Sequence, residues 1–380
     1  MENSFRVQRQ PQLVFGHNTI RELATYLHTL GTSHLCVVAS KSVASLEVVN
    51  TLLSSLRKEG FEYELMIHTQ EPNVSSVDTI AQNIATYEET TVIGIGGGSV
   101  LDTAKAASVV AYQLQKGNTC SVKDFLEGVG DTPPPSQRLP LILIPTTAGT
   151  GSESTNNAVI SEVGPHGFKK SLRHDSYVAD IALVDPSLLA SLDLSMLGPT
   201  ALDALTQNLE AYTSQRASPY ISSLVYTALV NHALSLKEIL ETGITTPSSL
   251  SHLAYGAYIS GIAITSCGLG YVHALAGPMG ALHPINHSHV CSMLISPINN
   301  ALREKGDSRY LELMNTLEKG WGEDPFLFLE HLTQKVVLPP LKEYGFTLAE
   351  LDHLSDSTPQ RDSLSELSPH TLRSILYDLY

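Results

Sequence analysis

Residues 91–110 read TVIGIGGGSVLDTAKAASVV. A β-branched run meets three consecutive glycines, and behind them small and apolar residues continue in a helical pattern to about Gln115. The order predicts a buried strand, a tight turn and a helix opening at about Ser99. Gly96, Gly97 and Gly98 carry no side chains, so a pyrophosphate can approach the backbone there and meet the positive end of the helix. The spacing is not G-x-G-x-x-G, and the glycines by themselves leave a structural turn and a phosphate cradle both open.

Outward from this unit, strand candidates at 33–39, 63–68, 139–144 and 181–184 alternate with helical stretches such as 19–29 and 75–87. That alternation predicts βαβ units and a mostly parallel sheet. A second loop of small residues, PTTAGTGSES (145–154), follows the next long apolar strand. Thr146, Thr147 and Ser152 offer hydroxyls there, while Gly149 and Gly151 permit close approach, at a strand end where α/β sheets bind ligands. After Pro186 the β-branched runs stop and Leu and Ala recur at helical spacing. The expectation is an α/β domain over 1–186 and an all-α domain over 187–380. Breaks are expected at Pro199, Pro278, Pro284, Pro297 and Pro339–Pro340, and the final SELSPHTLRSILYDLY is expected as a capped amphipathic helix packing back on that domain.

A chain of 380 residues also exceeds what one core usually organises. The net charge of -15 argues against a nucleic-acid or anionic-membrane partner. No apolar run reaches the roughly 18 residues that span a bilayer, and the opening MENSFRVQRQPQLVFG lacks a signal-peptide core, so a cytoplasmic location is the expectation. Cys36, Cys120, Cys267 and Cys291 form no CxxC pair and read as small buried residues.

In GPTALDALTQNLEAYTS, Asp203 and Gln207 stand four apart and share one helix face. GLGYVHALAGPMGALHPINHSHVC adds His273, His283, His287 and His289. Carboxylate oxygen and imidazole suit zinc or ferrous iron. Taken singly, each of these residues is more often a solvated charge or a structural histidine, and spacing does not connect Asp203 with His273.

These residues resemble the iron-containing, group III alcohol dehydrogenase family. The stretches that carry the resemblance run nearly the whole chain: GHNTIREL, EPNVSSV, GIGGGSVLDTAKA, IPTTAGTGSES, ALVDPSL, ALDALTQNLEAYTS and GLGYVHALAGPMGALHPINH. It implies a dinucleotide-binding α/β domain, a helical domain in a dehydroquinate synthase-like architecture, and a metal in the cleft between them. Asp203, His273 and His287 fall where the family has metal ligands. Gln207 stands where the iron enzymes usually have histidine; it either coordinates weakly or leaves three protein ligands, as in the glycerol dehydrogenases. Iron and zinc both stay open. Gly277 stands where many members have a histidine assigned to proton relay, with His283, His289 or water as substitutes.

On the cofactor side the resemblance assigns Gly97, Gly98 and Ser99 to the pyrophosphate, Asn73 to the adenosine half, and Asp102 to the neighbourhood of the turn. Thr146, Thr147 and Ser152 border the diphosphate and nicotinamide ribose, and Lys169 reaches the riboses. Ser40, followed by Lys41, occupies the place of an aspartate that repels a 2′-phosphate, so NAD and NADP are both admitted. The implied activity is hydride transfer between NAD(P) and a small alcohol or aldehyde, with Asp203, His273 and His287 as the catalytic metal set, in a homodimer. A polyol dehydrogenase resembling glycerol dehydrogenase and a silent nucleotide-binding relative are the alternatives; a phosphate-handling synthase ranks low, because no Lys or Arg stands near Asp203 or His273. Tyr271, Met279 and Leu282 read equally as substrate pocket or core.

Overall fold

Six strands that run in one direction form the sheet that positions the site. The structure is a computed structural model and describes residues 4–32, 34–164 and 167–380. The strands are β1 (Gln12–Phe15), β2 (His34–Ala39), β3 (Glu62–Ile67), β4 (Thr90–Gly96), β5 (Leu141–Pro145) and, after a separate hairpin of β6 (Asn157–Glu162) and β7 (Phe168–Arg173), β8 (Ile181–Val184). Their order is β1-β8-β5-β4-β2-β3, with every neighbouring pair parallel. Ser33, the first residue of the expected 33–39 strand, lies outside the described residues.

The central strands are apolar throughout because both faces of the sheet are covered. Alternation nevertheless sorts their side chains. Cys36, Val38, Leu141 and Leu143 enter the core on one face, while Leu35, Val37, Ile93, Ile95, Ile142 and Ile144 enter the core on the other. The chain leaves β2 toward β3 on one side and returns to β4 on the other, so the strand order reverses between β2 and β4. A crevice opens at such a switch point, beyond the carboxyl ends of the strands. Ser40 follows β2 there, and Gly97 follows β4.

The rest of the chain is helical and packs around one large core. Pro199, Pro278 and Pro297 do not break helices as expected; they lie inside Leu194–Tyr212, Tyr271–Leu282 and His287–Lys305. An interior proline costs about 3 kcal/mol. In the first helix, burial of Leu197, Leu202, Leu205 and Leu209 outweighs that cost at roughly 1.5–3 kcal/mol each. The Thr200 hydroxyl also donates to the carbonyls of Met196 and Leu197 beside the missing N–H. Pro284 and Pro339–Pro340 do stand between helical elements. The terminal helix Pro369–Asp378 is capped by Ser368 and buries Leu372 and Leu376 in the helical core.

Among the described residues no single helix is long and apolar enough to cross a membrane. The one pair that passes together, Pro247–Cys267 with Tyr271–Leu282, turns through 97° and is part of the core.

Candidate active site

The glycine turn owes its composition to its own helix at Gly96 and to a neighbouring loop at Gly97 and Gly98. A Cβ on Gly96 would stand 2.7 Å from the Cβ of Val100, and one on Gly98 would stand 2.5 Å from Thr150 Cγ2. Gly97 faces Thr147 at 3.2 Å in the same sense. The two loops after β4 and β5 are therefore pressed together, and Thr146 N–H donates to the Gly96 carbonyl at 2.9 Å. Gly151, at φ +61°, carries the second loop against the helix Pro247–Cys267, where a Cβ would meet the Gly261 nitrogen at 2.5 Å.

Lys105 holds that second loop from beneath. Fully buried on the helix Gly98–Gln115, its ammonium donates to the Ser152, Thr155 and Asn157 carbonyls and to the Thr155 hydroxyl at 2.7–3.1 Å. Asp102 accepts from the Ser152 hydroxyl and from Val159 N–H, so both of its oxygens are engaged within the fold. Asn73 caps the helix Val74–Ala85 through Ser76 N–H, and Ser40 caps Lys41–Ala44 through Val43 N–H. Lys169, on β7, pairs with Glu71 at 3.6 Å, and Glu71 in turn accepts from the Ser99 hydroxyl.

A cleft of about 660 Å³ runs from this region into the helical half. Ser40, Gly97, Gly98, Ser99, Asp102, Thr146, Thr147, Ser152 and Lys169 line it, as do Asp203, Gln207, His273 and His287. Asn73 lines an adjoining pocket that shares Lys169 and Glu71.

Three helices supply the buried polar end. Asp203 is 1% exposed on Leu194–Tyr212; His273 lies in the first turn of Tyr271–Leu282; His287 opens His287–Lys305. Asp203 Oδ1 lies 3.3 Å from His273 Nε2 and 3.8 Å from His287 Nε2. Cys291, one turn beyond His287, brings its Sγ 3.7 Å from His273 Nε2 and 3.8 Å from His287 Nε2. The four ligating atoms lie within 4.8 Å of one another. Glu210, two turns beyond Asp203, accepts from His273 Nδ1 at 2.8 Å and from Val272 N–H at 2.7 Å. With its proton on Nδ1, His273 presents a lone pair at Nε2. His287 Nδ1 is buried without a hydrogen-bond partner.

The electrostatics match a cation site. Burial opposes charge on Asp203, but His273, through its charge and its hydrogen bond, outweighs it and holds the carboxyl below its ordinary range. Burial opposes charge on His273 too, yet the Glu210 and Asp203 carboxylates hold it well above 6.5. His287 is pushed down to about 3 by burial, despite Asp203, and so stays neutral. Burial pushes the Cys291 thiol up to about 12. A carboxylate, two imidazoles and a thiol on one small volume fit a divalent transition-metal cation, which would take the place of the proton shared by Asp203 and His273.

Gln207 reaches the cluster with its nitrogen forward. Nε2 donates to Asp203 Oδ1 at 3.1 Å, and Oε1 accepts from the Ser260 hydroxyl at 2.7 Å. The expected substitutes at position 277 do not reach the cleft. His283 bonds Glu350 and packs on Phe346, while His289 bonds Tyr344. Space around Gly277 is open, with nothing within 4 Å of a Cβ built there. Tyr271 and Met279 are core residues, and Leu282 packs against the same core. Leu192, Met196, Ile264 and Leu269 supply the apolar cleft wall instead.

Four contributors escaped the sequence reading. Cys291 and Glu210 had a usable signal, being four residues after His287 and seven after Asp203, each on the same helix face. Lys105 was marked by its place among alanines on a buried helix. Glu71 carried none.

A family model described as "Iron-containing alcohol dehydrogenase" matches residues 10–186, and one described as "Fe-containing alcohol dehydrogenase family, C-terminal" matches residues 199–373. Long-chain-alcohol dehydrogenase 1 of Geobacillus thermodenitrificans is 31% identical over 379 residues, covering 96% of this chain and 92% of the relative. An archaeal halo-thermophilic alcohol dehydrogenase from a Red Sea brine pool shares the fold over 100% of both chains, with a TM-score of 0.88 and 21% identity. A sulfoacetaldehyde reductase from Bifidobacterium kashiwanohense, solved in complex with NAD+, does so over 99% of both chains, with a TM-score of 0.86 and 22% identity.

Proposed function

Because the chain belongs to the iron-containing alcohol dehydrogenase family, we propose that it moves a hydride between NAD or NADP and a small alcohol or aldehyde, with a divalent cation held by Asp203, His273 and His287. The observation that carries this reading is the convergence of those three side chains in the cleft that the glycine turn also lines. Residues 1–186 act as the cofactor half and residues 187–380 as the metal half.

When bound, the cation supplies positive charge to the substrate oxygen, and the nicotinamide accepts or gives the hydride. The chain's own residues do the rest. The backbone N–H groups at Gly98 and Ser99 open an 18-residue helix and face a diphosphate with its positive end. Lys169 stands at the same cleft, 3.6 Å from Glu71, as a cation for the cofactor phosphates or riboses. Ser40 and its neighbour Ser42 leave the ribose site without a repelling carboxylate. Glu210 fixes the His273 ring so that Nε2 faces the centre. Leu192, Met196, Ile264 and Leu269 hold the carbon chain of the substrate and exclude water, and Gly277 leaves room beside them.

The test combines elemental analysis of the purified protein with a panel of primary alcohols and aldehydes, followed through nicotinamide absorbance with both NAD and NADP. Bound transition metal with turnover of at least one alcohol is the expected result. Cofactor binding with neither metal nor turnover would sink the reading.

A further inference from the structure

The donor set at the buried end of the cleft contains a sulfur that the assignment of Asp203, His273 and His287 leaves unused. Cys291 lies on the buried face of its helix beside Val290, Leu294 and Ile295, which is ordinary for a small apolar side chain. Its sulfur, however, does not face only hydrocarbon. It stands 3.7 and 3.8 Å from the ring nitrogens of His273 and His287, the same atoms that face Asp203.

Those spacings have a geometric meaning. Around a zinc ion bonded at about 2.0–2.1 Å to nitrogen or oxygen and about 2.3 Å to sulfur, tetrahedral angles put the donors about 3.3 Å apart, or about 3.6 Å where one is sulfur. The observed edges are 3.3 and 3.8 Å from Asp203 to the two histidines and 3.7 and 3.8 Å from Cys291 to the same two. Four of the six edges of a tetrahedron are thus close to the lengths a shared cation requires, and all four donor atoms lie within 4.8 Å of one another.

Gln207 does not turn its oxygen to the centre in this arrangement. Its NH2 faces Asp203 and its oxygen is taken by Ser260. Exchanging the two amide atoms would set Oε1 against the Asp203 carboxylate, so the hydrogen-bond network supports the orientation.

We propose that Cys291 is the fourth protein ligand of the metal, giving an Asp203, His273, His287, Cys291 set. The inference rests on the metal-dependent reading above. On binding, the thiol proton is released and the sulfur coordinates as thiolate, a softer donor than amide oxygen or imidazole. Zinc can expand to five donors, which would leave a place for a substrate oxygen.

X-ray absorption on the zinc-loaded wild-type protein tests this without relying on turnover. One sulfur at about 2.3 Å alongside nitrogen and oxygen donors is expected. In parallel, the cobalt(II)-substituted protein should show a sulfur-to-cobalt charge-transfer band in the near ultraviolet that Cys291→Ser abolishes and Cys120→Ser keeps. Loss of an outer partner alone costs about 10–100-fold in metal affinity, so Cys291→Ser should lose at least about tenfold. Stoichiometric zinc with only nitrogen and oxygen neighbours overturns the proposal while leaving the metal-dependent reading intact. A wild-type protein that takes up no zinc, cobalt or iron overturns both. The wild-type absorption measurement decides even if the serine variant fails to fold.

Discussion

The two ends of the cleft are built by opposite means. The proposed cofactor end is made of backbone: three glycines, a second glycine-bearing loop and a helix start, with Asp102 and Lys105 spent on holding the second loop and Asn73 on capping a neighbouring helix. The proposed metal end is made of side chains from three separate helices, and its geometry exists only when the helices pack. A backbone site tolerates side-chain change but not added volume. A side-chain site tolerates small changes in packing but not the loss of one donor, and it can exchange one donor for another, as Gln207 and Cys291 suggest by their orientations.

The sharpest way to break this contrast is at Asp203. Asp203→Ala removes the only carboxylate among the four donors and should lower kcat/KM by more than about 10³-fold, since the metal's charge is worth several kcal/mol and each tenfold is about 1.4 kcal/mol. Metal content measured on the same preparation should fall with it. A variant that kept both metal and turnover would contradict the assignment. Glu210→Gln tests the supporting layer. The amide still reaches His273 but no longer enforces its tautomer, so metal affinity should fall by about 10–100-fold, read by competition with a chelator, while cofactor affinity is unchanged.

How much of this was legible depends on whether a signal is local. Strands β4, β5 and β8 declare themselves because they are buried on both sides, so that β5 and β8 are apolar throughout and β4 is broken only by Thr90 and Thr91 at its start and by glycines. Strand β1 does not, since only Val14 of its four residues is buried. The hairpin of β6 and β7 hides behind Glu162, Lys169 and Lys170, whose charges break the apolar pattern. The glycine turn is local and was legible as a close-approach site, although its spacing does not say that Thr150 is what it must accommodate. Asp203 and His273, in contrast, meet across 70 residues of chain, and no periodicity encodes that contact. Family resemblance supplied the pairing. Cys291 was read as buried, which it is; burial among imidazoles and burial among leucines look alike in a sequence.

The backbone end offers the next test. Gly98→Ala puts a methyl 2.5 Å from Thr150 Cγ2, inside any allowed contact, so one loop must move. The metal end is untouched, and the expected result is a rise in cofactor KM of about tenfold, or about 1.4 kcal/mol, with metal content unchanged. Adding Thr150→Ala to the same variant should recover part of the loss, because it removes the two nearest atoms.

The smallest effect is expected at Gly277, where the two ends meet and nothing stands within 4 Å of a new Cβ. The residue lies inside the helix Tyr271–Leu282, and glycine there retains conformational freedom that the unfolded chain keeps and the helix gives up. Gly277→Ala should therefore stabilise the protein by about 0.4–1 kcal/mol, seen as a small rise in Tm, without disturbing the metal. Because position 277 lines the cleft, the added methyl also takes space from the substrate. Turnover of the shortest alcohols should be preserved and that of bulky ones reduced. If Gly277→Ala were instead destabilising, the open volume beside it would have to be filled by something the helix packing depends on, and the division between a backbone-built end and a side-chain-built end would no longer hold at their junction.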